Sequence, residues 1–232
     1  GNYIQENKLK IENVCYLDTD ILLNPNSPNI FKAYNKKKIS VVSAIHGMSY
    51  SLDYVRRKIA FNRHNYLDKR YPLDSALFMT KKSFYKYHKF SEQKDIINMG
   101  VFIFNVKVHS KLMLSWFNKY DKHLKNLTGG GDNPQISYEM LNYGKLNWLD
   151  YKYNCIWNYE MASKYSFLYS DMKNQKLIKT CIEDSLKDNY FLHFAGTWNE
   201  GAMWKMKNIF INSKERKIND KFYRYLTTKM TG

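Results

Sequence analysis

The sequence lacks any apolar run approaching the roughly 20 residues needed to cross a bilayer, and no secretory leader pattern opens it. It also lacks an internal repeat or a low-complexity tract. Its cysteines are few, odd in number and without metal-ligand spacing, at Cys15, Cys155 and Cys181. That pattern disfavours a disulfide framework and favours a reducing compartment. We therefore expect a cytoplasmic protein, either soluble or peripheral at a membrane surface.

Negative charge is also scarce, since 21 Asp and Glu stand against 37 Lys and Arg, for a net charge of +16. Such an excess is typical of proteins that bind nucleic acid, anionic membranes or acidic substrates, and also of ordinary lysine-rich surfaces. Residues 207–232 mix Phe222, Tyr223 and Tyr225 with Lys and Arg. We expect this basic aromatic tail to suit peripheral contact with anionic lipid.

The most informative segment is Val14–Leu23, which reads Val-Cys-Tyr-Leu-Asp-Thr-Asp-Ile-Leu-Leu. Residues i and i+2 of a strand project to the same side, so a strand here would let Asp18 and Asp20 converge. Two buried, unpaired carboxylates are costly, and a hard divalent cation such as Mg²⁺ or Mn²⁺ would compensate them. The alternative is that Asp20 ends the strand and Asp18 is a solvated edge residue.

Three later segments strengthen the metal hypothesis. They are Asn98–Asn105 (Asn-Met-Gly-Val-Phe-Ile-Phe-Asn), Gly129–Gln135 (Gly-Gly-Gly-Asp-Asn-Pro-Gln) and Tyr190–Gly196 (Tyr-Phe-Leu-His-Phe-Ala-Gly). Together with Tyr-Leu-Asp-x-Asp, and in this order, the series resembles the family-8-like glycosyltransferases, which are retaining enzymes of the GT-A fold. The resemblance runs from about Val14 to about Trp204.

The resemblance implies an α/β fold of the GT-A type, with a Rossmann-like mixed sheet flanked by helices. It implies transfer of a hexose-type sugar from a nucleotide diphosphate sugar, of the UDP-sugar kind, to a glycan or lipid-linked acceptor with retention. The implied Mn²⁺ or Mg²⁺ ligands are Asp18, Asp20 and His193. The implied donor and catalytic contacts are Asn98, Gly100 and Gly196 for substrate, Lys205 for phosphate, and Asp132 and Gln135 at the reacting centre.

Each of these residues also has a structural interpretation. Asp132 could cap the following helix, although Asn133 directly before a proline is the better cap. His193 could be a satisfied core histidine, Asn98 a polar residue at a strand edge, and Gly100 a site of close backbone packing. An imidazole ligand beside two carboxylates would favour Mn²⁺ over Mg²⁺.

The position of the Asp-x-Asp motif predicts an incomplete N-terminal half. Only 17 residues precede Asp18, whereas in the resembled fold a nucleotide-binding βαβ unit comes first. We therefore expect residues 1–206 to form an N-terminally truncated GT-A-like catalytic domain, followed by the tail at 207–232.

Hydrophobic periodicity and turn residues predict alternating strands and helices. Ser27 is the predicted N-cap of a helix that starts at Pro28. The other predicted helices cover residues 51–67, 111–127 and 135–143, and the predicted strands cover residues 39–45, 96–106, 146–149 and 190–194.

Two alternatives to a glycosyltransferase remain open. One is a non-catalytic module that binds nucleotide sugars or glycans. The other is a nuclease that uses Asp18 and Asp20, but the sequence has no further acidic cluster and no aromatic-basic RNA motif. We accordingly expect no nucleic-acid partner.

Overall fold

Two mixed β-sheets and flanking helices make up the part of the chain that the computed structural model describes, which is residues 1–66, 79–120, 133–196 and 203. The predicted mixed α/β class is confirmed. The strands in these ranges are β1 (Asn13–Leu17), β2 (Ile21–Leu23), β3 (Ile39–Ser43), β4 (Ile97–Asn105), β5 (Leu146–Trp148), β6 (Cys155–Ile156) and β7 (Phe191–His193). The α-helices in the same ranges are α1 (Asn2–Glu6), α2 (Leu52–Tyr66), α3 (Lys81–Tyr87), α4 (Val106–Tyr120), α5 (Asn133–Tyr143), α6 (Trp157–Lys164) and α7 (Gln175–Asp188).

The larger sheet is built around β4, and its strand order is β1-β4-β3-β5. Strands β1 and β3 run antiparallel to β4, while β5 runs parallel to β3. The sequence of β4 is apolar in most positions because both faces of the strand are covered. Val101 and Ile103 belong to one core, and Phe102 and Phe104 belong to a second core on the opposite face.

A bulge interrupts the pairing of β4 with β3. Val41 pairs with Phe102, but the next residue, Val42, pairs with Asn98. The β4 residues in between therefore have no register partner on β3, and at this level the backbone carbonyl of Gly100 accepts a hydrogen bond from Asp18 N–H at 2.9 Å. Bulges of this kind occur beside active sites, where they redirect side chains.

The smaller sheet has the order β2-β7-β6, with β2 antiparallel and β6 parallel to β7. His193, the last residue of β7, lies opposite Ile21 of β2 on one side and Ile156 of β6 on the other. The segment Val14–Leu23 is thus two strands in two sheets, and the prediction of one continuous strand through Asp18 and Asp20 is wrong.

The larger core contains Trp157 and Phe194 among many other side chains. Its thiols are structural, since none of the three cysteines forms a disulfide. Burial raises the pKa of Cys15 to about 12 and raises those of Cys155 and Cys181 as well. A thiol that stays protonated is a poor nucleophile.

The helices predicted at residues 51–67 and 135–143 agree with the structure, and the one predicted at 111–127 begins at Val106 and has residues 121–127 outside the described part of the chain, whereas the α-helix predicted from Pro28 is wrong. Leu52–Tyr66 and Asn133–Tyr143 lie close to the predictions, and Gly144 closes the latter with a φ of +71°. Ser27 is not an N-cap, because its hydroxyl donates to the carbonyls of Asn24 and Tyr190. Asn29 instead caps a short 3₁₀ turn at Ile30–Ala33. Among the described helices, none is both long and apolar enough to span a bilayer.

Candidate metal centre and adjoining cavity

Three side chains that could ligate a metal meet at the junction of the two sheets. One ligand atom each from Asp18, Asp20 and His193 lies within 4.8 Å of the others. His193 Nε2 is 3.6 Å from Asp18 Oδ2 and 3.4 Å from Asp20 Oδ1. The structure therefore brings together the three residues that the sequence pointed to as metal ligands.

The backbone explains this convergence. Asp18 directly follows β1 in the larger sheet, and Asp20 directly precedes β2 in the smaller one. The carbonyl of Asp20 accepts a hydrogen bond from Phe194 N–H at 3.0 Å, next to His193 in β7. The two carboxylates converge because the chain turns from one sheet into the other, and not because they share a strand face.

Asn154 fixes the orientation of the His193 ring. His193 Nδ1–H donates to Asn154 Oδ1 at 2.9 Å, and Asn154 Nδ2 donates to the Asn98 carbonyl at 3.0 Å. Because Nδ1 is occupied by this hydrogen bond, Nε2, which faces the two carboxylates, is the ring atom left to bind a metal. Metal-binding histidines generally have such a partner on their second nitrogen.

Gly100 provides the space that the His193 ring occupies. A Cβ atom at position 100 would lie 2.4 Å from His193 Cε1 and 2.6 Å from Nδ1. The side chain of Asn98 supports the same turn, since its Oδ1 accepts from Gly100 N–H at 3.3 Å and its Nδ2 donates to the Asn154 carbonyl at 3.4 Å. Gly100 and Asn98 therefore support the position of His193 in addition to lining the cavity.

The electrostatics of the group favour ionised carboxylates. Burial by itself would raise the pKa of Asp20, but hydrogen bonding and charge from His193, together with the backbone N–H of Asp20, give a net lowering. The Tyr16 hydroxyl donates to Asp18 Oδ1 at 2.8 Å. Each carboxylate thus has a partner that stabilises its charged form.

The donor set fits a divalent ion. Adjacent ligands of an octahedral ion with bonds of about 2.1 Å lie roughly 3.0 Å apart, and opposite ligands about 4.2 Å apart. The observed separations of 3.4 and 3.6 Å fall between these limits. Two carboxylates and one imidazole are ligands that Mn²⁺ accepts readily, and Mg²⁺ less so because of the nitrogen.

The group lies in a cavity of about 450 Å³. The polar end of this cavity, as far as described residues form it, contains Tyr16, Asp18, Asp20, Asn98 and His193. Gly196, with a φ of +97°, lines the cavity as well. We use the name apolar wall for six further lining residues, which are Ala44, Ile45, Ile96, Ile97, Met113 and Phe117.

Of the two residues assigned to the reacting centre, the structure describes Gln135. Its side chain is fully buried near the start of α5, and neither atom of its amide has a hydrogen-bond partner among the described residues. Gln135 is not among the described residues that line the cavity. Asp132, the other residue, and Lys205 lie outside the described residues.

Asn154 and Tyr16 are site residues that sequence reasoning missed. Asn154 lies at the end of a 3₁₀ turn, Tyr151–Asn154, whose sequence carries no periodicity and no motif. Tyr16 could have been found, because it lies two residues before Asp18 in a strand and so can reach the same side.

Comparison with known proteins gives one structural similarity to report. No protein-family model and no curated protein matches the chain. A solved structure of the galactosyltransferase LgtC, in complex with donor and acceptor sugar analogues, is similar to it with 11% sequence identity and a TM-score of 0.44. The similarity covers 93% of this chain and 69% of LgtC.

Proposed function

We propose that this protein is a metal-dependent glycosyltransferase that moves a hexose-type sugar from a nucleotide diphosphate sugar, of the UDP-sugar kind, to a glycan or lipid-linked acceptor. The observation that carries the proposal is the group of Asp18, Asp20 and His193 at the polar end of a cavity large enough for a ligand. Retention of configuration, implied by the resemblance of the sequence motifs, is part of the proposal.

The roles of the residues follow from their positions. Asp18, Asp20 and His193 Nε2 would hold Mn²⁺ or Mg²⁺, with Asn154 keeping the His193 ring in place. The bound ion would neutralise charge on the diphosphate leaving group. Asn98, Gly100 and Gly196 line the same cavity and would contact the donor sugar.

The reacting centre and the phosphate contact remain proposals from sequence. Asp132 and Gln135 would act at the reacting centre, and Lys205 would contact phosphate. Residues 1–206 would form the catalytic domain, and the tail at 207–232 would contact anionic lipid.

A non-catalytic module that binds nucleotide sugars is the second candidate function. It is favoured by the burial of Gln135 away from the described lining of the cavity, since a catalytic group must reach the substrate. The two candidates differ in turnover and not in donor binding.

The experiment is a screen of nucleotide sugars against the full-length protein, with and without Mn²⁺. We expect one nucleotide sugar to raise the melting temperature only when Mn²⁺ is present, and to be hydrolysed or transferred under the same conditions. Asp20→Asn should lose both effects, whereas Asp188→Asn, whose side chain is 70% exposed and lies outside the described cavity lining, should keep them.

The outcomes separate the candidates. Metal-dependent stabilisation without hydrolysis or transfer would favour the binding module. Wild-type donor binding by Asp20→Asn would contradict the metal assignment and with it the proposed function.

A further inference from the structure

The apolar wall differs chemically from the rest of the cavity. Its six side chains carry no oxygen or nitrogen atom that could bind a hydroxyl group, and they line the same cavity as Asp18, Asp20 and His193. Phe117 is 50% exposed, so the wall is reachable from solvent at this residue, whereas Ile96 and Ile97 are buried.

Backbone donors on the β3 side of the wall are already used. Ala44 N–H donates to the carbonyl of Ile96 at 2.8 Å, and Ile45 N–H donates to Ser43 Oγ at 3.1 Å. Neither N–H group is therefore left to bind a ligand.

Backbone donors on the β4 side are used in the same way. Ile96 N–H donates to Asp95 Oδ1 at 2.7 Å, and Ile97 N–H donates to Ser137 Oγ at 3.0 Å. Three polar side chains, Ser43, Asp95 and Ser137, thus accept from three of the four N–H groups, and the Ile96 carbonyl accepts from the fourth. These four N–H groups of the wall are therefore unavailable to a ligand.

This chemistry restricts what can bind there. A sugar or nucleobase placed against the wall would give up hydrogen bonds to water, and the four N–H groups could not replace them. An alkyl chain would lose no hydrogen bonds and would remove apolar surface from water. The donor diphosphate belongs at the polar end, beside Asp18, Asp20 and His193, which leaves the wall for the other substrate.

We propose that the apolar wall binds the hydrocarbon part of the acceptor, so that the acceptor is a glycolipid or another lipid-linked sugar and not a free glycan. This inference rests on the proposed function, because only a transferase requires an acceptor. The sugar of such an acceptor would face the polar end while its alkyl chain lies on the wall.

The first test uses methyl, butyl and octyl β-D-glucoside, each below its critical micelle concentration, with binding measured calorimetrically in Mn²⁺ and without a nucleotide sugar. We expect affinity to rise with chain length, by up to about fourfold for each added methylene. Equal affinity for the three glucosides would overturn the proposal.

The second test is a matched pair of substitutions on α4. Phe117 lines the cavity, whereas Leu114, which is 43% exposed, is not among the described lining residues. Phe117→Gln should weaken binding of octyl glucoside by at least about tenfold and leave methyl glucoside unchanged. Leu114→Gln should change neither, and equal effects of the two substitutions would overturn the proposal.

Two further measurements complete the test. Circular dichroism and melting temperature check that the variants fold, and Met113→Gln provides a second substitution in the wall, expected to act as Phe117→Gln does. Nucleotide-sugar binding is measured separately. If no nucleotide sugar binds but octyl glucoside binds through Phe117, the proposed function fails while the apolar site stands. If a nucleotide sugar binds but chain length has no effect, the proposed function stands and the apolar site is overturned.

Discussion

Two histidines near the same end of the large sheet make the same local hydrogen bond and face different surroundings. His193 Nδ1–H donates to Asn154 Oδ1, and His46 Nδ1–H donates to Asp95 Oδ2, both at 2.9 Å. His193 is 4% exposed, whereas the His46 side chain is 65% exposed. The bond to Nδ1 alone therefore does not identify a metal ligand.

The difference lies in what else each group contacts. His193 Nε2 faces two carboxylates, and the neutral amide of Asn154 leaves those carboxylates as the local negative charge. Asp95, by contrast, already accepts hydrogen bonds from Ser43 Oγ and from the N–H of Ile96, so His46 is one donor among three. We therefore expect His193 to be a ligand of the proposed metal site and His46 to anchor the loop after β3.

The largest expected effect comes from replacing the two histidines in turn. His193→Gln should weaken Mn²⁺ binding by at least about 100-fold, more than the loss typical of a residue that only orients a ligand. His46→Gln should leave Mn²⁺ affinity unchanged. Calorimetric Mn²⁺ titration of both variants measures the contrast, and similar affinities would remove the distinction between the two sites.

Replacing the hydrogen-bond partners of the two histidines, Asn154 and Asp95, should give the same difference in Mn²⁺ affinity with a smaller magnitude. Asn154→Ala should weaken Mn²⁺ binding by about 10- to 100-fold, because the His193 ring loses the group that orients it. Asp95→Asn should lower stability without changing Mn²⁺ affinity; urea unfolding and Mn²⁺ titration measure the two effects. Unchanged affinity in Asn154→Ala would mean that packing against Gly100 is enough to hold the ring.

Substitution of one glycine beside each histidine should give the next smaller effect. Gly100 tests the packing around His193, and Gly47 tests the packing around His46. Gly100→Ala should destabilise the protein by about 1–3 kcal/mol, as overpacking does, and should also weaken Mn²⁺ binding because the His193 ring must move. Gly47, beside His46, has a φ of +80°, and an added Cβ would lie 3.2 Å from Tyr151 Cβ, so Gly47→Ala should cost at least about 1–2 kcal/mol through backbone strain and this close contact. Urea unfolding measures the loss of stability, and Mn²⁺ titration measures the loss of metal affinity. A loss of Mn²⁺ affinity in Gly47→Ala would contradict the interpretation that the region around His46 takes no part in metal binding.

The smallest expected effect is a pH dependence in the absence of metal. The pKa of Asp20 in the folded protein is lowered from the usual 3.8. Its ionised form therefore stabilises the fold above that usual value, and this contribution is lost as the pH falls through the lowered folded value. In chelator, wild-type protein should lose more stability than Asp20→Asn between pH 5 and pH 3, as measured by urea unfolding. Equal losses of stability in the wild-type protein and Asp20→Asn would show that ionisation of Asp20 does not contribute to the pH dependence of folding.

Sequence reasoning succeeded where a residue type and its order along the chain carry the information. Asp18, Asp20 and His193 were brought together by motif order, and the long apolar run of β4 identified the central strand. The physical reason given for the carboxylates was wrong, because periodicity cannot reveal that a strand ends and the next residues enter another sheet.

The residues that sequence reasoning missed depend on tertiary contacts. Asn154 becomes important only when β6 pairs beside β7, and Asn29 replaces Ser27 as a cap because Tyr190 and Asn24 occupy the Ser27 hydroxyl. From the sequence alone, a glycine at position 100 that leaves space for the His193 ring could not be distinguished from one that leaves space for a ligand. Such choices are decided by long-range packing, which local propensity does not encode.

Thr19 separates two carboxylates that adjoin different sheets, because Asp18 follows β1 and Asp20 precedes β2, and this has a mechanical consequence. An ion held by Asp18, Asp20 and His193 would cross-link the larger and the smaller sheet at their junction. Separating the two sheets at this junction would require release of the ion. At a free ion concentration of 100 times its Kd, binding would stabilise the joined state relative to the separated state by about 2.7 kcal/mol. The free concentration of the ion would then set how often the two sheets separate at this junction, even without a bound sugar.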